Sequence, residues 1–168
     1  MPKIIENLPQ RLLEEAGRQI QQSGYEAMTI RSVAKQCGVG VGTVYNYYAS
    51  KEALVAAYLL EDWNICVGNI ASASDSARDV EQVLWAVYEN LDQFIQRHMA
   101  VFGDSAAAAS FPGSFSRYHG LLRSQLAQPI RKFCKDDFVA EFVAEALLTW
   151  TVAGKDFDQL NHVLKRIF

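Results

Sequence analysis

The side chains best placed for recognition chemistry cluster between Thr29 and Lys51. After a run with glycine at alternate positions, Gly38-Val-Gly40-Val-Gly42, the chain reads Thr43-Val-Tyr-Asn-Tyr-Tyr48. Val44 and Tyr48 are four apart and share one helical face, whereas Thr43, Asn46 and Tyr47 point elsewhere. Hydroxyl and amide groups on such a free face can donate to phosphate oxygens or pair with base edges. Gly40 and Gly42 remove side-chain bulk where a helix tip must approach another surface. The helix N-terminus also offers unpaired N–H groups and partial positive charge to an anion. No nucleophile motif or cofactor fingerprint accompanies them. The glycine run lacks the sixth-position glycine of a dinucleotide loop, and a helix rather than a strand precedes it. His98, His119 and His162 lie far apart without metal-ligand spacing, and Glu141 and Glu145 share a helix face as a solvated pair would. The expectation is a binding protein that is not an enzyme and has no metal and no cofactor.

Positioning these groups falls to helices throughout. No sustained apolar–polar alternation bounded by hairpin turns occurs, so the expected fold class is all-α. Ile5, Leu8, Leu12, Ala16 and Ile20 form one stripe on a first helix ending near Ser23-Gly24. Thr29 reads as the N-cap of a short second helix carrying Ile30, Val33, Ala34 and Cys37 and stopped by Gly38. A third helix spans roughly Val41 to Tyr48, and Ser50 caps a fourth with Leu54, Tyr58, Glu61 and Ile65 along one line. Two short helices joined by a glycine-containing turn are a helix-turn-helix signature, whose second helix enters the major groove while the first lies across the backbone. The small-residue stretch Gly68 to Ala77 is expected to separate this part from the remainder.

Beyond it, Asp79 with Gln82 resembles a capping box opening a helix with Val83, Leu84, Val87 and Leu91. Gly103 to Gly120 reads as a loop or broken helix, and Tyr118, Leu121, Leu122 and Leu126 resume a helix that Pro129 interrupts or restarts. Asp136 or Asp137 caps another helix that Gly154 stops, and a last helix runs from about Asp156 to the end.

Composition is that of a globular protein: of 168 residues, 50% are hydrophobic and 21% charged, with net charge −3. That sum is unfavourable for nucleic acid, but its distribution is less so. Through Leu60 six basic residues stand against five acids, leaving ten against fourteen in the rest. No apolar run approaches the ~20 residues of a membrane span, and no signal peptide is expected at the N-terminus. Cys37, Cys66 and Cys134 are scattered and odd in number, which points to three buried thiols in a reducing cytosol rather than a disulfide framework.

The run Thr29-Ile-Arg-Ser-Val-Ala-Lys-Gln-Cys-Gly-Val-Gly-Val-Gly-Thr-Val-Tyr-Asn-Tyr-Tyr-Ala-Ser-Lys-Glu-Ala-Leu54 resembles the DNA-binding domain of the TetR family, a likeness extending from about Pro9 to Leu60. The resemblance implies a helix-turn-helix domain over 1–49, joined through the helix starting near Ser50 to a helical effector-binding and dimerisation domain over 50–168. It implies phosphate contacts from Thr29, Thr43, Tyr45 and Lys51, and a phosphate or base contact from Arg31. Tyr47 would pack on the backbone or on thymine methyls, and Val41, Gly42 and Asn46 would read bases. Gly40 stands where the family commonly has a capping serine, so the tip has one side-chain contact fewer. On the residues alone, Tyr45 and Tyr48 could be core aromatics, Lys51 a solvated lysine and Arg31 a surface residue.

The resemblance further implies a cytoplasmic, nucleoid-associated homodimer on a palindromic operator in double-stranded DNA, more naturally a repressor. A small apolar or aromatic effector would release it. The alternative is a relative without effector, acting in chromosome organisation or as an activator. Phe138, Phe142, Leu147, Leu160 and Leu164 supply apolar stripes that either pair across the dimer axis or build the domain's own core. Trp85, Tyr88, Phe94, Phe102, Phe111, Phe115, Tyr118 and Trp150 could line an effector pocket or be plain core.

Overall fold

The computed structural model describes residues 6–111 and 114–168, excluding the side chains of 114–117. Every regular element among them is helical, and they pack as two compact units, 6–62 with 98–111 and 63–97 with 114–168.

The first unit begins with α1 (Leu8–Ser23), whose buried Leu8, Leu12, Ala16 and Ile20 are the expected stripe; Ile5 lies outside the described residues. Gly24, at φ +86°, ends it in a conformation that favours glycine. Next come α2 (Ile30–Cys37) and α3 (Val41–Tyr47). Gly38 at φ +71° closes α2 with its N–H on the carbonyls of Ala34 and Lys35. The helix α4 (Lys51–Asp75) opens on Ser50, whose hydroxyl accepts the Ala53 N–H at 3.1 Å. Two short helices, α6 (Met99–Phe102) and α7 (Ser105–Ser110), complete this unit. Val101 and Ala107 join Leu12, Ile20, Met28, Val33, Val44 and Leu54 in one core.

The second unit holds the rest of α4 with α5 (Val80–Arg97), α8 (Ser114–Ile130), α9 (Asp137–Val152) and α10 (Phe157–Leu164). Asp79 accepts the Gln82 N–H at 2.9 Å as expected, but the Gln82 amide returns to the Arg78 N–H rather than to that of Asp79. Asp136 caps α9 and Asp156 caps α10.

Several expectations need correction. The stretch from Gly68 does not separate anything: α4 continues through it to Asp75, because Ile70 and Ser74 are buried in the second unit. Ile65 is exposed, and Trp63, Cys66 and Ile70 are the buried positions of that segment instead. The region after Gly103 is a broken helix rather than a loop, and α8 starts at Ser114, before Tyr118. Pro129 lies inside the last turn of α8 without splitting it. The final helix stops at Leu164. Cys37 and Cys66 are buried, but Cys134 is only half-buried.

Candidate nucleic-acid interface

The interface is built from α2, α3 and the start of α4. Thr29 is extended, at φ −133° and ψ 152°, and its hydroxyl accepts the Ser32 N–H at 3.0 Å. The Ser32 hydroxyl in turn accepts the Thr29 N–H at 3.1 Å. This reciprocal cap fixes where α2 begins, and such caps stabilise a helix by about 1 kcal/mol. Gly40 caps α3 through its carbonyl alone, accepting Thr43 N–H at 3.0 Å.

Val44 is fully buried and anchors α3 in the core. Tyr48 is half-buried and its hydroxyl donates to the Pro9 carbonyl at 3.4 Å, tying the end of α3 to α1. Burial pushes the Tyr48 phenol above its ordinary pKa. The opposite face is open: Tyr45 and Tyr47 are each 50% exposed. Gly42 and Asn46 are exposed as well, and Val41 and Thr43 half-exposed. Two large aromatics left in water on a seven-residue helix are not core residues. Their exposure decides the open question about Tyr45.

Thr29, Arg31, Val41, Tyr45 and Lys51 come together around one hollow of about 490 Å³, completed by Met28, Ile30, Ala49, Ser50 and Glu52. The N-termini of α2 and α4 both reach it, so partial positive charge from two helices adds to Arg31 and Lys51. Thr43, Asn46, Tyr47 and Gly42 do not line it.

Lys51 does more than border this hollow. Its ammonium donates to the carbonyls of Tyr25 at 2.6 Å and Glu26 at 3.3 Å, and sits 4.2 Å from the Tyr25 ring centroid. Burial draws its pKa below the ordinary lysine value, opposed by Glu52, Asp104 and Glu26. Lys51 therefore fastens the α1–α2 loop to the start of α4. Sequence reasoning missed Glu52, whose carboxyl is held below its usual pKa by its own backbone N–H, then by the Ser50 hydroxyl. An acid in the first turn of a helix was the available signal.

The other predicted residues are placed differently. Phe102 and Phe111 belong to the first unit, with Phe111 6.1 Å from Tyr25 between ring centroids. In the second unit Trp85 and Tyr88 gather around Phe157, at 4.9 and 5.5 Å, and Phe94 meets Trp63 at 5.3 Å. Tyr118 and Trp150 are exposed, and the Phe115 side chain lies outside the described residues. A hollow of about 260 Å³ in that unit is lined by Val67, Ile70, Ala71, Asp75, Gln125, Leu126, Gln128, Pro129 and Lys132, none of them predicted. Of the stripe residues, Leu147, Leu160 and Leu164 are buried in the unit's own core, whereas Phe138 is 76% and Phe142 52% exposed. No group of three or more His, Cys, Asp or Glu that could hold a metal occurs among the described residues. No described helix is long and apolar enough to cross a membrane.

Residues 12–58 match the model of the bacterial regulatory proteins, tetR family. The chain is 33% identical over 151 residues to the HTH-type transcriptional regulator UidR of Escherichia coli K12, covering 90% of this chain and 70% of the relative. The chain belongs to the TetR family of transcriptional regulators. Solved structures share its fold. A transcriptional regulator from Streptomyces coelicolor A3(2) superposes with TM-score 0.72 at 16% identity, over 94% of this chain and 96% of the other. The fatty acid degradation regulator FadR from Bacillus halodurans does so with TM-score 0.55 at 21% identity, over 94% of each chain. As a TetR-family regulator the protein is a non-enzymatic DNA-binding protein, and α2 and α3 are its helix-turn-helix.

Proposed function

We propose that this TetR-family regulator is a homodimeric repressor that binds a palindromic operator and is released by a small apolar or aromatic effector. The observation that carries the DNA-binding part is the open face of α3, where Asn46, Tyr45 and Tyr47 are exposed beside a cationic hollow. In this reading Val41, Gly42 and Asn46 face base edges, and Tyr47 packs on the backbone or thymine methyls. Arg31, Thr43, Tyr45 and the third proton of Lys51 hold phosphates, with Thr29 supporting them from the α2 cap.

A single helix-turn-helix makes few base contacts, and two of them on half-sites one helical turn apart, about 34–36 Å, are the usual arrangement. Support for a dimer comes from the second unit, where Phe138 and Phe142, one turn apart on α9, leave apolar rings in water. The functional division is then 1–49 for DNA and 50–168 for effector and dimer contacts, and the working place is the nucleoid in the cytoplasm. An effector acts by binding the DNA-competent and incompetent forms with different affinity. Sedimentation at micromolar concentration tests the dimer, and a monomer there removes this reading. Screening apolar and aromatic compounds for release of bound operator tests the effector; unchanged binding across the set argues for a regulator without one.

A further inference from the structure

A chain of hydrogen bonds crosses from α1 to the cap of α2. On α1, the Arg18 guanidinium donates to Glu15, Nη2 to Oε1 at 2.5 Å and Nε to Oε2 at 2.8 Å. The same Glu15 Oε1 accepts the Gln19 amide nitrogen at 2.7 Å. Gln19 then presents its oxygen to the Ser32 hydroxyl at 2.5 Å. Ser32 lies 3.1 Å from both the Thr29 N–H and the Thr29 hydroxyl.

The direction of every proton in this chain is determined at its far end. Arg18 beside it holds the Glu15 carboxyl below its usual pKa, against the effect of burial. An ionised carboxylate only accepts, so the Gln19 NH2 must face it and the Gln19 oxygen must face Ser32. The single Ser32 proton then goes to Gln19, which leaves Ser32 with lone pairs alone toward Thr29. Ser32 can accept the Thr29 N–H and the Thr29 hydroxyl proton, and the reciprocal cap is the result. Were the amide reversed, Ser32 would keep its proton for the Thr29 carbonyl, 2.8 Å away, and would compete with the helix it caps.

We propose that Gln19 is a positioning residue for DNA binding: oriented by Glu15, it takes the Ser32 proton and so holds the Thr29–Ser32 cap of α2 in the one arrangement that presents this helix end to the phosphate backbone. Thr29 then serves as a cap, its proton turned toward Ser32. The donors left for a phosphate are the first-turn N–H groups of Ile30 and Arg31, which have no intrahelical acceptor. This rests on the DNA-binding reading and adds a residue on α1 that touches no DNA.

The test uses the full chain with a random-sequence duplex. Anisotropy titrations run at several salt concentrations, well below each variant's unfolding midpoint. Gln19→Leu should weaken binding to every duplex on the order of threefold to tenfold, with the salt slope falling by about one unit for one lost phosphate contact. Gln19→Glu alone sets two carboxylates against each other and should weaken binding at least as much. Gln19→Glu combined with Glu15→Gln restores the proton direction at unchanged net charge, and should recover wild-type affinity. Ser32→Ala breaks the chain without altering α1 and should match Gln19→Leu. A Gln19→Leu protein that melts earlier but binds like wild type while folded overturns the proposal, as does failure of the double variant to recover. Wild-type protein that binds no duplex at all overturns the DNA-binding reading itself, a different result from equal binding by wild type and variant.

Discussion

Gly17 lies buried on α1, and a Cβ placed there would come within 2.5 Å of Tyr58 Cε2 and 2.7 Å of Cζ. Carbon contacts settle near 3.5–4.0 Å, so Gly17→Ala must displace the Tyr58 ring by about 1 Å. The ring is buried and has little room. His98 meets it edge-on at 5.0 Å, itself bonded to Asp62 at 2.9 Å, and Gln21 donates to its hydroxyl at 3.3 Å. Overpacking of this kind costs about 1–3 kcal/mol, while alanine gains about 1 kcal/mol over glycine inside a helix. The balance is a loss of about 1–2 kcal/mol, or a fall on the order of 2–8 °C in Tm for a chain of this size. Thermal unfolding followed by circular dichroism, at one fixed protein concentration, measures it. The decisive comparison is the same change in a Tyr58→Leu background. With the ring gone, only the helix-propensity gain remains, and Gly17→Ala should stabilise by about 0.5–1 kcal/mol. Gly17→Ala that raises Tm with Tyr58 present would refute the reasoning.

Four further outcomes are expected. Lys51→Met should weaken binding to all duplexes alike, lower the salt slope by about one unit, and destabilise the fold by about 1–3 kcal/mol through two lost charged hydrogen bonds; a loss confined to one sequence contradicts this role. Asn46→Ala should relax preference at one base position by about 1–3 kcal/mol, read by competition among single-base operator variants. Phe138→Ser with Phe142→Ser should shift sedimentation toward monomer with little change in helix content, whereas an unaltered dimer places the interface elsewhere. Acid stability follows from Glu15, where Arg18 is the main cause, and from Glu145, where burial opposes but His119, Thr149 and Arg123 prevail; both carboxyls lie below their ordinary 4.5. With folded pKa values depressed, their contribution is present above about pH 4.5 and lost as pH falls through the folded values. Glu15→Gln should flatten that part of the stability–pH curve, and an unchanged curve removes Glu15 from it.

The helix-turn-helix was legible because its boundaries are written in local chemistry. Thr29 and Ser32 are three apart and cap α2, and Gly38 takes the positive φ that ends it. Val44 against Asn46 and Tyr47 is a contrast of faces that needs no knowledge of neighbours. The second half of α4 was not legible, since small residues carry a weak helical signal and only the burial of Ile70 and Ser74 shows the continuation. One stripe also could not describe α4: Leu54, Val55 and Tyr58 serve one core and Trp63, Cys66 and Ile70 the other. The part of α6 and α7 in the first unit rests on Val101 and Ala107, contacts far away in sequence. The same distance concealed the bonds of Lys51 to Tyr25 and Glu26, and of Gln19 to Ser32.

Sequence-specific DNA binding by α3 is most directly tested by selecting bound duplexes from a random pool at several salt concentrations, with Asn46→Ala run in parallel. The account predicts a two-fold symmetric site for the wild type, log affinity that falls linearly with log salt, and a changed or relaxed preference in the variant. Recovery of no preferred sequence, or of the same site by wild type and variant alike, would contradict it.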